Sequence, residues 1–107
     1  MNCFGDSVVS FSKKVLGACK KIPRGKVTTY SEIAKAINSP KSMRAVGNAL
    51  NKNENIILVP CHRVVRSNGF VGGYVQGTKR KINLLRKEGI IVSNKGKIDL
   101  KKFLYKF

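Results

Sequence analysis

Apolar residues recur at helical spacing over residues 7–20, where Val8, Phe11, Val15, Leu16 and Cys19 fall on one face. That spacing predicts an amphipathic first helix. Ile22-Pro23-Arg24-Gly25-Lys26 then breaks it with a Pro/Gly turn. Val27-Thr28-Thr29-Tyr30 is short, β-branched and aromatic, and reads as a brief strand or an extended lead-in to the next helix. Ser31 is a good N-cap for a helix over Glu32–Ile37, with the acid in the favourable first turn. Asn38-Ser39-Pro40 ends that helix, and a second runs from about Lys41 to Asn51 with Met43, Val46, Ala49 and Leu50 as its apolar face. Two short helices across a tight turn, the second carrying Lys41, Arg44, Asn48 and Lys52, form a helix-turn-helix pattern.

Ile56–Val59 is an apolar run, followed by Pro60-Cys61-His62-Arg63 and by Val64-Val65. Glycines at 69, 72, 73 and 77 mark an irregular loop. Residues 79–87 read as a helix with Ile82, Leu84 and Leu85 inward, Lys79, Arg80, Arg86 and Lys87 outward, and Gly89 at C′. The tail pairs Ile90-Ile91-Val92 with Lys97-Ile98-Asp99-Leu100 across Asn94-Lys95-Gly96 as a hairpin. With 107 residues and no repeat or low-complexity linker, residues 1–107 make one domain.

Charge changes the picture more than composition does. A hydrophobic fraction of 42% is ordinary for a folded protein, whereas 22 Lys+Arg against 5 Asp+Glu leaves a net charge of +17. That balance points to nucleic acid or an anionic surface as partner. No stretch reaches the roughly 20 apolar residues of a membrane span, and no secretory signal is visible, so an intracellular protein is expected, cytoplasmic and nucleoid-associated in a prokaryote or nuclear in a eukaryote. Three cysteines without CxxC spacing and a single histidine do not make a metal set; no metal and no cofactor are expected.

The candidate chemistry centres on Cys61. A thiol becomes a strong nucleophile as thiolate, and an adjacent His62 and Arg63 are neighbours that favour it. The plain alternative is a small core residue, which remains the reading of Cys3 and Cys19. His62 either caps a turn or accepts the thiol proton, directly or through a water. Glu88 stands in the last helical turn, where the macrodipole disfavours an anion. It calls for a cationic or histidine partner, or else a weak surface pair with Lys87 or Arg86. Arg44 is by default a phosphate contact, and Tyr30 and Tyr74 are by default packing.

At these residues the chain resembles the 6-O-alkylguanine-DNA alkyltransferases. The resemblance rests on Pro60-Cys61-His62-Arg63-Val64-Val65 with Ser67-Asn68-Gly69…Gly72-Gly73-Tyr74, on Gly25-Lys26-Val27…Tyr30, on Arg44-Ala45-Val46-Gly47 and on Leu84-Leu85…Glu88-Gly89. It covers nearly the whole chain and corresponds to the family's C-terminal, active-site domain, with no counterpart of the N-terminal domain. It implies a monomeric, single-turnover repair protein that binds the minor groove of double-stranded DNA and flips 6-O-alkylguanine into a pocket. Cys61 would take the alkyl group, His62 and Glu88 would complete a relay, and Tyr74 would protonate or hydrogen-bond the departing guanine. Asn53 would brace the turn before the site. Arg44 would fill the place of the extruded base, and Tyr30 would crowd the phosphate. Lys41, Gly47, Asn48 and Lys52 belong to the DNA-binding element, and Val59, Pro60, Ser67, Gly72, Gly73 and Lys81 to the base pocket. Pattern and resemblance together predict a mainly α, winged helix-turn-helix-like domain with short strands and a C-terminal hairpin.

The chain also departs from the family pattern. Glu54-Asn55-Ile56 replaces a Pro-x-Pro run, Phe70 is bulkier than usual in its loop, and Val75 replaces a small polar residue. Short relatives of this kind are often non-catalytic proteins that bind a lesion and flag it, typically with Trp or Ala where Cys61 stands. That is the competing expectation. A general basic DNA-coating protein is the third, and it predicts affinity that collapses with salt.

Overall fold

The computed structural model describes residues 3–53, 58–74 and 76–107, with side chains from residue 11 onward. Val8, Ile56, the Glu54-Asn55-Ile56 departure and Val75 therefore lie outside the described side chains. Helix α1 spans Cys3–Lys20, strand β1 Thr28–Thr29, α2 Tyr30–Ala36, α3 Met43–Asn51, β2 Val64–Val65, α4 Thr78–Lys87 and α5 Leu100–Phe103. A single 3₁₀ turn, Cys61–Arg63, leads into β2.

Helix α1 buries Val15, Ala18 and Cys19 against α2 and α3, with Phe11 and Leu16 half-buried beside them. Strands β1 and β2 pair in parallel, Thr28 opposite Val64 and Thr29 opposite Val65. Successive strand residues face opposite sides. Val64 thus joins the core under the three helices, while Val65 joins a second core of Val27, Val71, Leu85, Ile90, Val92, Ile98 and Phe103. The short sheet is the seam between the two cores, and the Cys61 turn enters along it.

Strand pairing also moves the cap of α2. Thr29, not Ser31, is the N-cap, its hydroxyl accepting from the Glu32 N–H at 3.1 Å. The helix then begins at Tyr30, and Ser31 falls inside it. Its end is a Schellman turn: Asn38 takes a φ of 62°, Asn38 N–H donates to Lys35 C=O and Ser39 N–H to Ala34 C=O. That turn swings the chain into α3 and completes a helix-turn-helix-like pair. Val46 and Leu50 are buried on α3, but Met43 is 46% exposed and does not belong to its core face.

The tail differs from a hairpin. Its turn forms, with Ser93 N–H donating to Lys97 C=O at 2.9 Å, yet residues 90–92 and 97–100 make no strand pair. Lys97 bridges to Phe70 in antiparallel sense, Val71 N–H donates to Gly96 C=O and Ile98 N–H to Gly69 C=O. The 66–70 turn is thus the tail's real partner. Asp99 then caps α5, and the following residues return beside β1, where Val27 bridges Leu104 and Thr28 Oγ1 donates to Tyr105 C=O.

Candidate active site

The turn carrying Cys61 is built by short-range bonds. Asn53 Nδ2 donates to Val59 C=O at 3.0 Å from a buried position. Cys61 N–H donates to the same carbonyl at 2.8 Å, and Arg63 N–H to Pro60 C=O at 3.0 Å. Val59, Pro60, Cys61 and His62 are all buried, so the thiol is presented from a fixed, sparsely hydrated backbone.

The next two residues both reach Glu88, 25 and 26 positions away. His62 Nε2 lies 2.9 Å from Oε2; Arg63 donates from Nε to Oε1 at 2.9 Å and from Nη2 to Oε2 at 2.8 Å. A third guanidinium bond, Nη1 to Ile22 C=O at 2.9 Å, ties the fork to the turn just after α1. Glu88 is the C-cap of α4, followed by a second Schellman turn with Gly89 at φ 85°. Arg86 and Lys87 face away; Arg86 donates to Val92 C=O instead. The acid at an unfavourable helix end therefore serves His62 and Arg63 together.

Burial alone would raise the Glu88 pKa, but the hydrogen bonds from Arg63 and His62 outweigh it and hold the carboxyl below its ordinary value. An ionised carboxylate only accepts, so His62 must place its proton on Nε2. Burial pushes the imidazole pKa down despite Glu88, keeping it neutral. The lone pair is left on Nδ1, which is buried and has no hydrogen-bond partner among the described residues. Tyr74 packs edge-on to the His62 ring at 6.4 Å, and its buried hydroxyl has no partner among the described residues either. Burial raises the Tyr74 pKa, so that hydroxyl stays a donor. A neutral base with a free lone pair and a phenol with a free proton thus stand side by side.

Lys81 occupies a place that a basic helix face does not announce. It is fully buried, donating from Nζ to Val64 C=O at 2.6 Å and to Gly73 C=O at 3.0 Å. It ties β2 to the glycine loop from beneath, so it supports the pocket rather than lining it. Desolvation lowers its pKa to about 8, while burial raises Cys19 to about 12. These shifts act on stability in opposite senses. Between about 8 and the ordinary 10.5 the unfolded chain holds more protons at Lys81, so stability rises with pH in that window. Above the ordinary 9.0 the folded chain holds more at Cys19, so stability falls toward pH 12. Tyr30 and Tyr74, both raised above 10.0, add to that fall. Urea unfolding should show a rise from pH 8 toward 9 and a decline above 10, each group contributing on the order of 1.4 kcal/mol per pH unit at most. Cys19→Ala should flatten the decline; monotonic loss from pH 8 upward would refute the Lys81 assignment.

A separate groove of about 360 Å³ lies against the helix pair, lined by Tyr30, Ser31, Met43, Arg44, Gly47, Arg66 and Ser67. Gly47 faces the Tyr30 ring, which a Cβ there would meet at 3.8 Å, an ordinary contact distance. Lys41, Asn48 and Lys52 are exposed but outside this groove. Cys61 does not line it; Tyr30 does, with its hydroxyl near Gly72, which has a φ of 74°. Gly73 offers its carbonyl to Lys81. Sequence reasoning missed Ser31, Met43 and Arg66 as groove residues. The signal available for Arg66 was its place between the Cys61 motif and the glycine loop. Among the described residues no three His, Cys, Asp or Glu side chains gather to hold a metal, and no helix is long and apolar enough to cross a membrane.

Fold and site define a class: a helix-turn-helix domain with a buried cysteine beside a histidine–carboxylate pair. A family model described as 6-O-methylguanine DNA methyltransferase, DNA binding domain, matches residues 10–90. The methylated-DNA–protein-cysteine methyltransferase of Methanosarcina acetivorans is 52% identical over 79 residues, covering 74% of this chain and 51% of that protein. Among solved structures, S. pombe Atl1 in complex with damaged DNA containing O6-carboxymethylguanine superposes with a TM-score of 0.81 at 32% identity, covering 92% of this chain and 97% of that one. M. tuberculosis OGT in complex with DNA gives 0.72 at 43% identity, covering 74% and 48%. The chain belongs to the 6-O-methylguanine DNA methyltransferase family. It spans about half the length of the curated methyltransferases it matches, 51% of the Methanosarcina protein and 50% of the one from Candida glabrata.

Proposed function

We propose that this chain repairs DNA by moving the alkyl group of 6-O-alkylguanine onto its own Cys61, and that it corresponds to the active-site portion of its longer relatives. The observation that carries the reading is the neutral His62 held by Glu88 with Nδ1 unpaired, one residue from a buried thiol. The Cys61 Sγ–carbon bond forms as the carbon–O6 bond breaks. The thiol proton passes to His62 Nδ1, directly or through a water, and the departing guanine takes a proton from the Tyr74 hydroxyl. The thioether is stable, so each molecule acts once. No cofactor enters this chemistry.

The base must leave the helix first, at a cost of a few kcal/mol. Arg44 enters the gap from α3, Tyr30 crowds the phosphate, and Lys41, Asn48 and Lys52 neutralise neighbouring phosphates along the minor groove. Asn53 holds the turn, while Val59, Pro60, Ser67, Gly72 and Gly73 bound the base and Lys81 braces them. The test is intact mass after incubation with a duplex bearing 6-O-methylguanine. One added methyl, mapped to Cys61, is the expected result; no adduct after long incubation sinks the reading. A second reading is lesion binding without transfer; Atl1, matched over 92% of this chain, was solved bound to damaged DNA, but the methyltransferase names of the curated relatives do not favour it. The thiol argues against it, and tight lesion binding with an unmodified Cys61 would establish it.

A further inference from the structure

Arg66 leaves β2 with its backbone fixed at both ends of a tight turn: its N–H donates to Phe70 C=O and its C=O accepts from Gly69 N–H, each at 2.9 Å. Its side chain is exposed, with the stem resting on one glycine. The aliphatic stem lies on Gly72, where an added Cβ would come within 3.1 Å of Cγ and 3.4 Å of Cδ. The same Cβ would stand 3.7 Å from the Tyr30 hydroxyl, so stem and phenol converge on one glycine. Arg24, Arg63 and Arg86 commit their guanidinium groups to internal acceptors. Arg66 makes no side-chain hydrogen bond or ion pair among the described residues, and neither does Arg44. Both line the groove against the helix pair, and no carboxylate lines it with them.

An exposed arginine, unpaired among the described residues and beside a phenol, has the chemistry to bind a phosphate with a forked pair of hydrogen bonds. We propose that Arg66 is a positioning residue for base extrusion, binding a backbone phosphate next to the lesion and holding it rotated against Tyr30 while Arg44 occupies the gap. The proposal rests on the DNA-repair reading above. It divides the work between the two arginines: Arg44 acts on the base stack from α3, and Arg66 acts on the backbone from the turn after β2. A Cβ at Gly72 would press on the Arg66 stem at 3.1 Å, at a position whose φ of 74° already favours glycine.

A chemical double-mutant cycle tests it. Arg66→Met keeps the stem that packs on Gly72 and removes the charge. The DNA partner is a 6-O-methylguanine duplex in which each phosphate flanking the lesion is replaced in turn by a neutral methylphosphonate. At one flanking position the wild-type protein should lose about 10- to 100-fold in affinity and single-turnover rate, the range of one charge-assisted hydrogen bond. Arg66→Met should show that loss on the ordinary duplex and no further loss at that position. Its salt slope should fall by about one phosphate contact. Arg66→Lys should restore the salt slope and only part of the rate, since an ammonium cannot fork. Losses that simply add, or an Arg66→Met protein that matches wild type, would overturn the proposal. If the wild-type protein binds lesion DNA without transferring, the affinity cycle alone decides Arg66, and only the transfer reading fails.

Discussion

Glu88→Ala should lower stability by about 3–5 kcal/mol, the cost of stripping one partner from a buried ion pair. The carboxylate, with 8% of its side chain exposed, accepts three hydrogen bonds, two from Arg63 and one from His62. Its loss leaves the guanidinium with only the Ile22 carbonyl and frees the imidazole to turn. The melting temperature should fall on the order of 15 °C for a domain of this size. Because such a protein can fail to fold, Glu88→Gln carries the chemical half of the prediction. The amide keeps the volume and one acceptor oxygen but cannot bond three donors. His62 loses its tautomer lock, so Nδ1 is no longer assured as the free base. Single-turnover transfer should drop about 100-fold, the lower end of what a positioned base provides. A folded Glu88→Gln protein that transfers within threefold of wild type would remove Glu88 from the relay. Acid sensitivity follows the same pair. Both folded values lie below the ordinary ones, so the stability they confer is full above 6.5 for His62 and 4.5 for Glu88. It is lost as pH falls through the folded values.

Glu88 was also the residue whose structural role was most legible in the sequence. An anion at a helix end that repels it is a local conflict, and such conflicts point to a partner elsewhere. The ends of α2 and α4 were legible for a similar reason, because Asn38 and Gly89 sit where left-handed caps belong. What escaped was set by distant partners. Thr29 and Ser31 are both competent caps, and only the parallel pairing of Thr28–Thr29 with Val64–Val65 decides between them. Lys81 lies within a basic run, so helical periodicity alone assigns it no special place. Its burial depends on two carbonyls, of Val64 and Gly73, that converge only in the folded chain. The tail was read as its own partner because 94–96 is a good turn. The edge offered by Phe70 lies some 27 positions before Lys97 and wins the pairing. The Cys61–His62–Glu88 set came from motif and resemblance, whereas Arg63 as the second ligand of Glu88 and Arg66 as a groove residue needed coordinates.

That nonlocal edge makes Gly69 the most tightly constrained of the described glycines. Gly69→Ala should cost about 2–5 kcal/mol, from two independent sources. Its φ of 91° lies where a side chain is strained in any surroundings. Its Cβ would also stand 2.8 Å from the Ile98 carbonyl oxygen, and that atom is backbone, so no side-chain rotation relieves it. The same strand segment is held by the Ile98 N–H bond to Gly69 C=O at 2.8 Å, so relief means separating the tail from the 66–70 turn. Ile98 would then leave the second core, where it is buried with Val71 and Leu85. Gly17→Ala is the matching control. It lies within α1, its Cβ meets nothing within 4 Å, and it should stabilise by about 0.5–1 kcal/mol through helix propensity. Urea melts of the two variants should therefore move in opposite directions. A Gly69→Ala protein within 1 kcal/mol of wild type would mean that the tail yields easily. The turn that aims Arg66 at the groove would then be a soft support rather than a rigid one.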